Sequence, residues 1–534
     1  MRVIKKRSNF MPCLNSYFIT DFDFSVSEAI KSTRGGHIGG DKYIGKGTWE
    51  VTEEVWNLIK HFPHTLTDES EPSPTPLVLE IREDNPGGKY AYQDIAASEL
   101  QKRENCLLFF DTGTGKTRTA LLALSRLSRD SDAAIIVGEA NLSQGWLSQV
   151  EKHFPASLDR FLILNDGRSI PKRIKAIEGA PKGTIFIVNI ESVRNKAFVD
   201  ALNGRDLAVC VLDECQYITG ATAQQTAGML ALKSHYRWAL SATPVRNTPL
   251  EWYSLLAWLR VIMFNGTKTR FKEYYSFAHR NEYGEWLYFP YRHEQDLEDL
   301  KNLVTIRVEK SGLGLPPRTV LEKTFEMDAD LCSILSKIKA EKIKDWIKAT
   351  FRIANRYFIA TSAPSLFYIE RVATALQRDK IDFVLNQTEE PMIVVSSLKF
   401  PLDYLHSLIG SEAALYHGDI PKEEREQNKS DFISGKKRVL LMTRKSGGTG
   451  LDGLQSRARI MVFLDAPENS SNFNQCADRL HRVGQQNEVI IYLLKVKGSI
   501  DIYAWNNMDS KQGWLDRYYK VNYGNLLGES DEDR

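Results

Sequence analysis

A glycine-rich loop held between a strand and a helix leaves a chain few folds to choose from. Cys106 to Phe110 is an unbroken apolar run of strand length, Asp111-Thr112-Gly113-Thr114-Gly115-Lys116-Thr117 follows it, and Arg118 to Leu124 reads as helix. Backbone N–H groups of such a loop at a helix N-terminus point at anionic oxygens. The order strand, loop, helix therefore predicts a phosphate cradle, in which Lys116 would reach the β and γ phosphates and the Thr117 hydroxyl would ligate magnesium. Phe110 stands where the full motif has its first glycine.

The rest of the chain supplies the sheet that this loop needs. Strand-length apolar runs recur at Ala133–Val137, Thr184–Val188, Leu207–Leu212 and Trp238–Leu240, then at Met392–Val395, Arg438–Met442, Arg459–Leu464 and Val489–Leu494. Stretches of helical length lie between most of them, as in parallel sheets covered on both faces. The expected fold is α/β: two RecA-like parallel-sheet lobes in tandem with helical insertions, plus a small N-terminal module. At 534 residues several cores are expected. The proline-rich acidic run LTDESEPSPTP opposes helix and central strand alike. It sets the expected boundaries: module 1–66, linker 67–80, first lobe 81–325 with a helical part near 251–325, helical insertion 326–385, second lobe 386–520 and acidic tail 521–534.

Lys plus Arg number 70 against 68 Asp plus Glu, a net charge of +2, so any nucleic-acid site must be a local basic stripe rather than a global field. The six cysteines are scattered and offer no tetrahedral zinc set. No apolar run approaches the roughly 20 residues that span a bilayer, and Met1 to Arg7 lacks the apolar stretch of a signal peptide. An intracellular protein, cytoplasmic or nucleoid-associated and without a membrane partner, is expected.

Asp213-Glu214-Cys215-Gln216 ends the apolar run LAVCVL, which puts two carboxylates at the carboxyl edge of the sheet beside the phosphate loop. Asp213 would hold magnesium and Glu214 would orient the attacking water. Ser241-Ala242-Thr243-Pro244 follows RWAL, a hydroxyl-bearing turn placed to couple that site to the rest of the lobe. In the second half, Arg479 and Arg482 are three residues apart in QCADRLHRVGQ, predicted to share one side of a helix that Gly484 can end. In SGGTGLDGLQ, Gly447 and Gly448 allow close approach of the backbone to a phosphate.

With these motifs in this order, from about Tyr90 to Ile502, the chain resembles the Swi/Snf-type members of helicase superfamily two. The stretches IIVGEANLSQGWLSQVEKHFP and LSATPVRNTPLEWYSLLAWL, and Tyr416-His417-Gly418-Asp419 with Arg425 and Phe432, resemble the family too. The loop matches the family's looser version of the phosphate motif. The resemblance implies ATP and magnesium as cofactors, bound by Tyr92, Gln93 and the loop 111–117, with Gln93 reading adenine. It implies that Arg482, with Arg479 beside it, reaches the γ phosphate when the lobes close. Coupling and DNA contact would fall to Gln216, Ser241, Thr243, Ser446, Gly447, Gly448, Gly450, Asp452, Gln475 and Gln485. Gln216 replaces the family's usual His, Asp452 its usual Asn, and Pro467-Glu468-Asn469 stands where tryptophans are common; these departures bear on coupling rather than fold.

Ala29 to Val51 is loosely similar to the small substrate-recognition domain of HepA-related annealing helicases. On that likeness Lys31, Arg34, Lys42 and Lys46 would contact phosphates of branched DNA, while Trp49 reads either as core or as a base-stacking platform. The expected function is an ATP-dependent translocase on double-stranded or branched DNA, in repair, recombination or fork remodelling, for which a monomer suffices. The rivals are a strand-separating DNA or RNA helicase, and a motor or regulatory DNA-binding component of a defence complex. No strand-separating wedge is recognisable in the sequence.

Overall fold

The computed structural model describes residues 2–7, 15–20, 49–51, 56–57, 60–61, 65–68 and 75–505, except 82–87, 89, 128–132, 140–141, 165–166, 221–222, 246–247, 263–266, 281–285, 341–348, 361–362, 388, 445–450, 452, 468–469 and 503. The chain divides into two compact units, Met1–Gly312 and Leu313–Arg534.

The first unit begins with a four-stranded sheet in the order β3-β2-β1-β4, built from β1 (Arg2–Arg7), β2 (Asn15–Thr20), β3 (Trp49–Val51) and β4 (Thr65–Asp68). Lys31, Arg34, Lys42 and Lys46 lie outside the described residues, as does the acidic tail. The main sheet has eight strands: β5 (Leu77–Val78), β6 (Asn105–Phe110), β7 (Ala134–Gly138), β8 (Phe161–Ile163), β9 (Ile185–Asn189), β10 (Val209–Asp213), β11 (Tyr236–Ser241) and β14 (Thr305–Val308). Their order is β5-β14-β6-β11-β10-β7-β9-β8, and every pairing is parallel. The central strands are apolar and buried almost throughout because helices cover both faces.

Register decides what this sheet presents. Leu240 of β11 stands level with Asp213 of β10 on one side and with Leu108 of β6 on the other, so the three strands end within two residues of one another. The loop after β6, the acid pair after β10 and the hydroxyl turn after β11 thus share one carboxyl edge, with neighbouring strands roughly 5 Å apart.

The region near 251–325 is only partly helical. It contains an antiparallel hairpin, β12 (Ser276–Arg280) with β13 (Trp286–Tyr291), and then β14 returns to pair with β6. The next strand, β15 (Arg318–Phe325), already belongs to the second sheet, where it pairs over eight residues with β22 (Val489–Val496). The chain passes from one lobe to the other at Gly312–Leu313, earlier than expected, because this strand finds its partner late in the sequence.

The second sheet has six strands in the order β15-β22-β21-β18-β20-β19, again all parallel, with β18 (Met392–Ser396), β19 (Ala413–Tyr416), β20 (Val439–Thr443) and β21 (Ile460–Phe463). Strand alternation splits its core in two. Met392 and Val394 pack with Leu402 and Leu405, whereas Ile393 and Val395 pack with Phe432, Leu451 and Leu480. The stretch 326–385, expected to be a helical insertion, holds another hairpin, β16 (Ala349–Ile353) with β17 (Arg356–Ala360). In TFRIANRYFIA, β-branched and aromatic residues flank Ala-Asn at a two-residue turn, a hairpin signal that outweighs the surrounding helical spacing.

Candidate functional site

Helix α1 (Ala91–Lys102) carries Tyr92 and Gln93 against the loop 111–115, and α2 (Lys116–Ser125) starts directly after it. Tyr92 Oη donates to the Thr114 carbonyl at 2.6 Å, and Gln93 Nε2 lies 3.2 Å from both that carbonyl and the Tyr92 oxygen. Burial pushes the Tyr92 phenol up to about 12, so it stays a donor. Arg118 donates to Gln93 Oε1. The Gln93 amide is thus occupied at both ends, and in this arrangement it braces the loop.

The loop depends on glycine at one point above all. Gly115 has φ +90°, and a Cβ there would stand 2.2 Å from Gln93 Nε2. Thr114 turns inward, its hydroxyl donating to the Asp111 carbonyl at 2.8 Å. Asp111, expected at the nucleotide, is engaged by β14 and the residues after it: its carboxylate pairs with Arg307 at 3.0 Å and accepts from the Lys310 N–H at 3.0 Å. Arg307 lies 4.1 Å over the Phe109 ring, which fixes that brace. Lys116 Nζ donates to the Phe110 carbonyl at 3.0 Å. No side chain caps α2 and no acid stands in its first turn. Its leading N–H groups and macrodipole are therefore suited to anionic oxygens.

At the end of β10, Asp213 Oδ2 accepts from the Trp146 indole N–H at 2.9 Å and Oδ1 from the Glu214 backbone N–H at 3.0 Å. Burial, and then the neighbouring Glu214 charge, push the Asp213 carboxyl up to about 6. Glu214 sits in the left-handed region at φ +50°, a costly conformation for a side-chain-bearing residue that turns it out of the strand direction. Gln216 Nε2 donates to Glu214 Oε2 at 2.7 Å, Ser241 Oγ donates to Gln216 Oε1 at 2.8 Å, and the Thr243 N–H donates to Ser241 Oγ at 2.9 Å. Gln216 is 3% exposed and Ser241 is 0%. The residue in place of the usual His therefore makes a continuous buried relay from the acid to the hydroxyl turn.

The donor set suits a hard divalent cation. Thr117 offers a hydroxyl and Asp213 a carboxylate that sits beside Glu214, where added positive charge is favourable. Among the described residues no group of three or more His, Cys, Asp or Glu could hold a metal. Magnesium at a nucleotide requires no such group, because phosphates and water complete its shell.

In the second lobe, helix α3 (Ser470–Ala477) ends seven residues before Gly484, so Arg479 and Arg482 lie in turns rather than on one helical face. Two contacts and one backbone conformation hold this segment away from helix. Arg318 of β15 pairs with Asp478 at 3.4 Å, His481 Nε2 donates to the Pro316 carbonyl at 2.8 Å, and Gly484 has φ +98°. Gln485, expected to contact DNA, is 7% exposed, and its amide bonds the Ala458 carbonyl at 3.0 Å and the N–H groups of Gln486 and Asn487. It ties the turn together instead. Gln475 is partly buried on α3, and His417 is buried with Nε2 3.0 Å from Asp403. Ser446, Gly447, Gly448, Gly450 and Asp452 lie outside the described residues.

Sequence reasoning did not single out Trp146 or Arg307. Trp146 does lie inside IIVGEANLSQGWLSQVEKHFP, and that resemblance was the available signal. Arg307 stands almost two hundred residues from its partner Asp111 and carries no local mark.

Two parallel-sheet lobes, the first with a glycine-rich phosphate loop and an acid pair on one sheet edge, define a P-loop protein of the tandem-lobe class. Residues 82–348 match the SNF2-related domain and residues 375–484 the helicase conserved C-terminal domain, so the chain belongs to the SNF2-related family. It is 23% identical over 450 residues to the DNA annealing helicase and endonuclease ZRANB3 of Bos taurus, covering 81% of this chain and 40% of that protein. It is 22% identical to a probable global transactivator of Orgyia pseudotsugata multicapsid polyhedrosis virus, covering 77% of this chain and 86% of that one. With the RAD54-like DNA repair and recombination protein of Gallus gallus it shares 21% identity over 78% of this chain and 64% of the other. The chain spans about 40% of the length of the first curated relatives it matches. A solved Sulfolobus solfataricus SWI2/SNF2 ATPase core in complex with dsDNA covers 86% of this chain at 15% identity, with a TM-score of 0.37, too slight a likeness to carry an argument. Among the described residues no helix is long and apolar enough to cross a membrane.

Proposed function

We propose that the chain is a DNA-dependent ATPase that moves along duplex DNA, serving repair, recombination or fork remodelling. The observation that carries this reading is the shared edge of β6, β10 and β11, where loop 111–117, Asp213–Glu214 and the Gln216–Ser241 relay meet in register. Lys116 and the N-terminus of α2 bind the phosphates of ATP. Thr117 and Asp213 hold magnesium, which when bound neutralises the transferring phosphoryl oxygens. Glu214 orients the attacking water, and Gln216 and Ser241 report its position to the turn at Thr243. From the second lobe Arg482 stabilises charge that develops as the γ phosphate leaves. The partner is double-stranded or branched DNA, held chiefly by phosphate contacts that carry little sequence information.

The test is ATP turnover with duplex, single-stranded and forked DNA and with RNA. Duplex should stimulate more than single strands with little dependence on sequence, and binding should weaken with salt at a log–log slope of about −0.9 per phosphate contacted. A triplex-forming oligonucleotide on the duplex should be displaced in an ATP-dependent way. Stimulation by RNA alone, or efficient unwinding of a long blunt duplex, would move the chain to a strand-separating class.

Trp146 supplies a finer prediction. In Trp146→Phe the indole donor is lost and Asp213 Oδ2 loses its partner, so the carboxylate is free to turn. The magnesium concentration for half-maximal turnover should rise roughly tenfold, the usual scale for removing a group that orients a metal ligand. An unaltered magnesium requirement would mean that the indole merely fills space.

A further inference from the structure

The β16–β17 hairpin has two unlike faces. Ala354 and Asn355, at φ +47° and +62°, close it in a tight two-residue turn. On the inner face Phe351 and Ile353 are 2% and 5% exposed and pack with Leu331, Leu335, Ile369 and Val372. Thr350, Arg352, Tyr357 and Ile359 make up the outer face, paired across the strands as Arg352 with Tyr357 and Thr350 with Ile359. Tyr357 is 71% exposed and Ile359 is 54% exposed.

The chemistry of that outer face is narrow. The Arg352 guanidinium lies 5.9 Å from the Tyr357 ring centroid, so a flat cation and a flat ring stand side by side. Arg356, paired with Ile353 on the opposite face, lays its guanidinium 5.0 Å over the Phe400 ring, and Lys337 donates to the Thr350 carbonyl at 2.6 Å from the adjoining helix. Residues 349–360 contain no Asp or Glu. Two five-residue strands cover about 150 Å², against roughly 800 Å² per partner for a stable protein interface. A protein partner would need far more surface than this hairpin has. One or two stacked bases with their flanking phosphates fit it, since any base can stack on an aromatic ring and arginines neutralise the backbone.

We propose that the outer face of the β16–β17 hairpin binds single-stranded DNA, stacking a base on Tyr357 with a flanking phosphate at Arg352. The hairpin thus provides a second kind of contact beside the duplex track, one suited to an unpaired arm of a fork. It rests on the proposed function only in taking DNA as the polymer.

The experiment uses the full chain as wild type, Tyr357→Ala, Tyr357→Phe and Arg352→Ala. Binding of a mixed-sequence single-stranded 20-mer and of the corresponding blunt duplex is followed by fluorescence anisotropy, with duplex-stimulated ATP turnover measured alongside. Tyr357→Ala should weaken binding of the 20-mer roughly tenfold, the scale of one lost base stack. Tyr357→Phe should retain it, Arg352→Ala should weaken it and flatten its salt dependence, and duplex binding and turnover should not change. Any of four results would overturn the assignment: no binding of the 20-mer by wild type, no loss in Tyr357→Ala, equal losses on 20-mer and duplex, or a loss in Tyr357→Phe as large as in the alanine variant. Absence of duplex-stimulated turnover in wild type would refute the proposed function instead, and the comparison of 20-mer binding would still decide the hairpin.

Discussion

Lys116→Ala should abolish DNA-stimulated ATP turnover and weaken nucleotide binding. Lys116 is the first residue of α2, and its ammonium stands at the mouth of the loop, 3.0 Å from the Phe110 carbonyl that ends β6. Glycine backbone and helix dipole can hold phosphate oxygens in the ground state, but they supply only partial charges. The lysine adds a full charge where negative charge gathers on the leaving side, and removing one such group costs roughly 10²- to 10³-fold in rate. Lys116→Arg should not restore turnover, because the loop accepts a compact point charge and the planar fork of arginine needs a different approach. Steady-state turnover with saturating duplex, paired with nucleotide binding by equilibrium titration, makes the check. Full stimulated turnover by the alanine variant would show that the loop is not the phosphate site.

What the sequence discloses here follows from how local the cause is. The loop 111–117, the strands around it and the acid pair are written in consecutive residues, and short-range rules place them on one sheet edge. The placement of β15 is a different matter, since its partner β22 lies more than 150 residues away and nothing in RTVLEKTF names it. The same distance hides Arg307, which pairs with the Asp111 carboxylate. Gln485 illustrates a further limit. A polar side chain in a motif reads as a contact to a ligand, yet here the amide satisfies backbone groups of the turn it sits in, and only burial reveals that. The helix expected across QCADRLHRVGQ fails for a related reason: Asp478 and His481 bond groups near Pro316 and Arg318, and those tertiary bonds outweigh the local helical tendency. The relay from Glu214 through Gln216 to Ser241 lies between these cases. Its residues were legible one by one, whereas their connection needed the neighbouring strands β10 and β11.

Arg482→Ala should leave nucleotide binding nearly intact while turnover falls at least about a hundredfold, since an arginine finger acts mainly on charge that appears in the transition state. Fingers of this kind supply a rate factor of roughly 10³ to 10⁵, or about 4 to 7 kcal/mol. The fold around the residue permits a clean experiment. The turn that carries Arg482 is held by other groups: the Gln485 N–H donates to the Arg482 carbonyl at 3.0 Å, the Gln485 amide bonds the Ala458 carbonyl, and His481 bonds the Pro316 carbonyl. Truncating the Arg482 side chain leaves these three bonds in place, so the turn should keep its backbone path in the variant. Because the phosphate loop belongs wholly to the first lobe, ATP affinity in the Arg482 variant should stay within a few-fold of wild type, and the loss should fall on kcat rather than KM. Equal losses of binding and turnover would make Arg482 a ground-state ligand of the nucleotide, and the division of labour between the lobes would have to be redrawn.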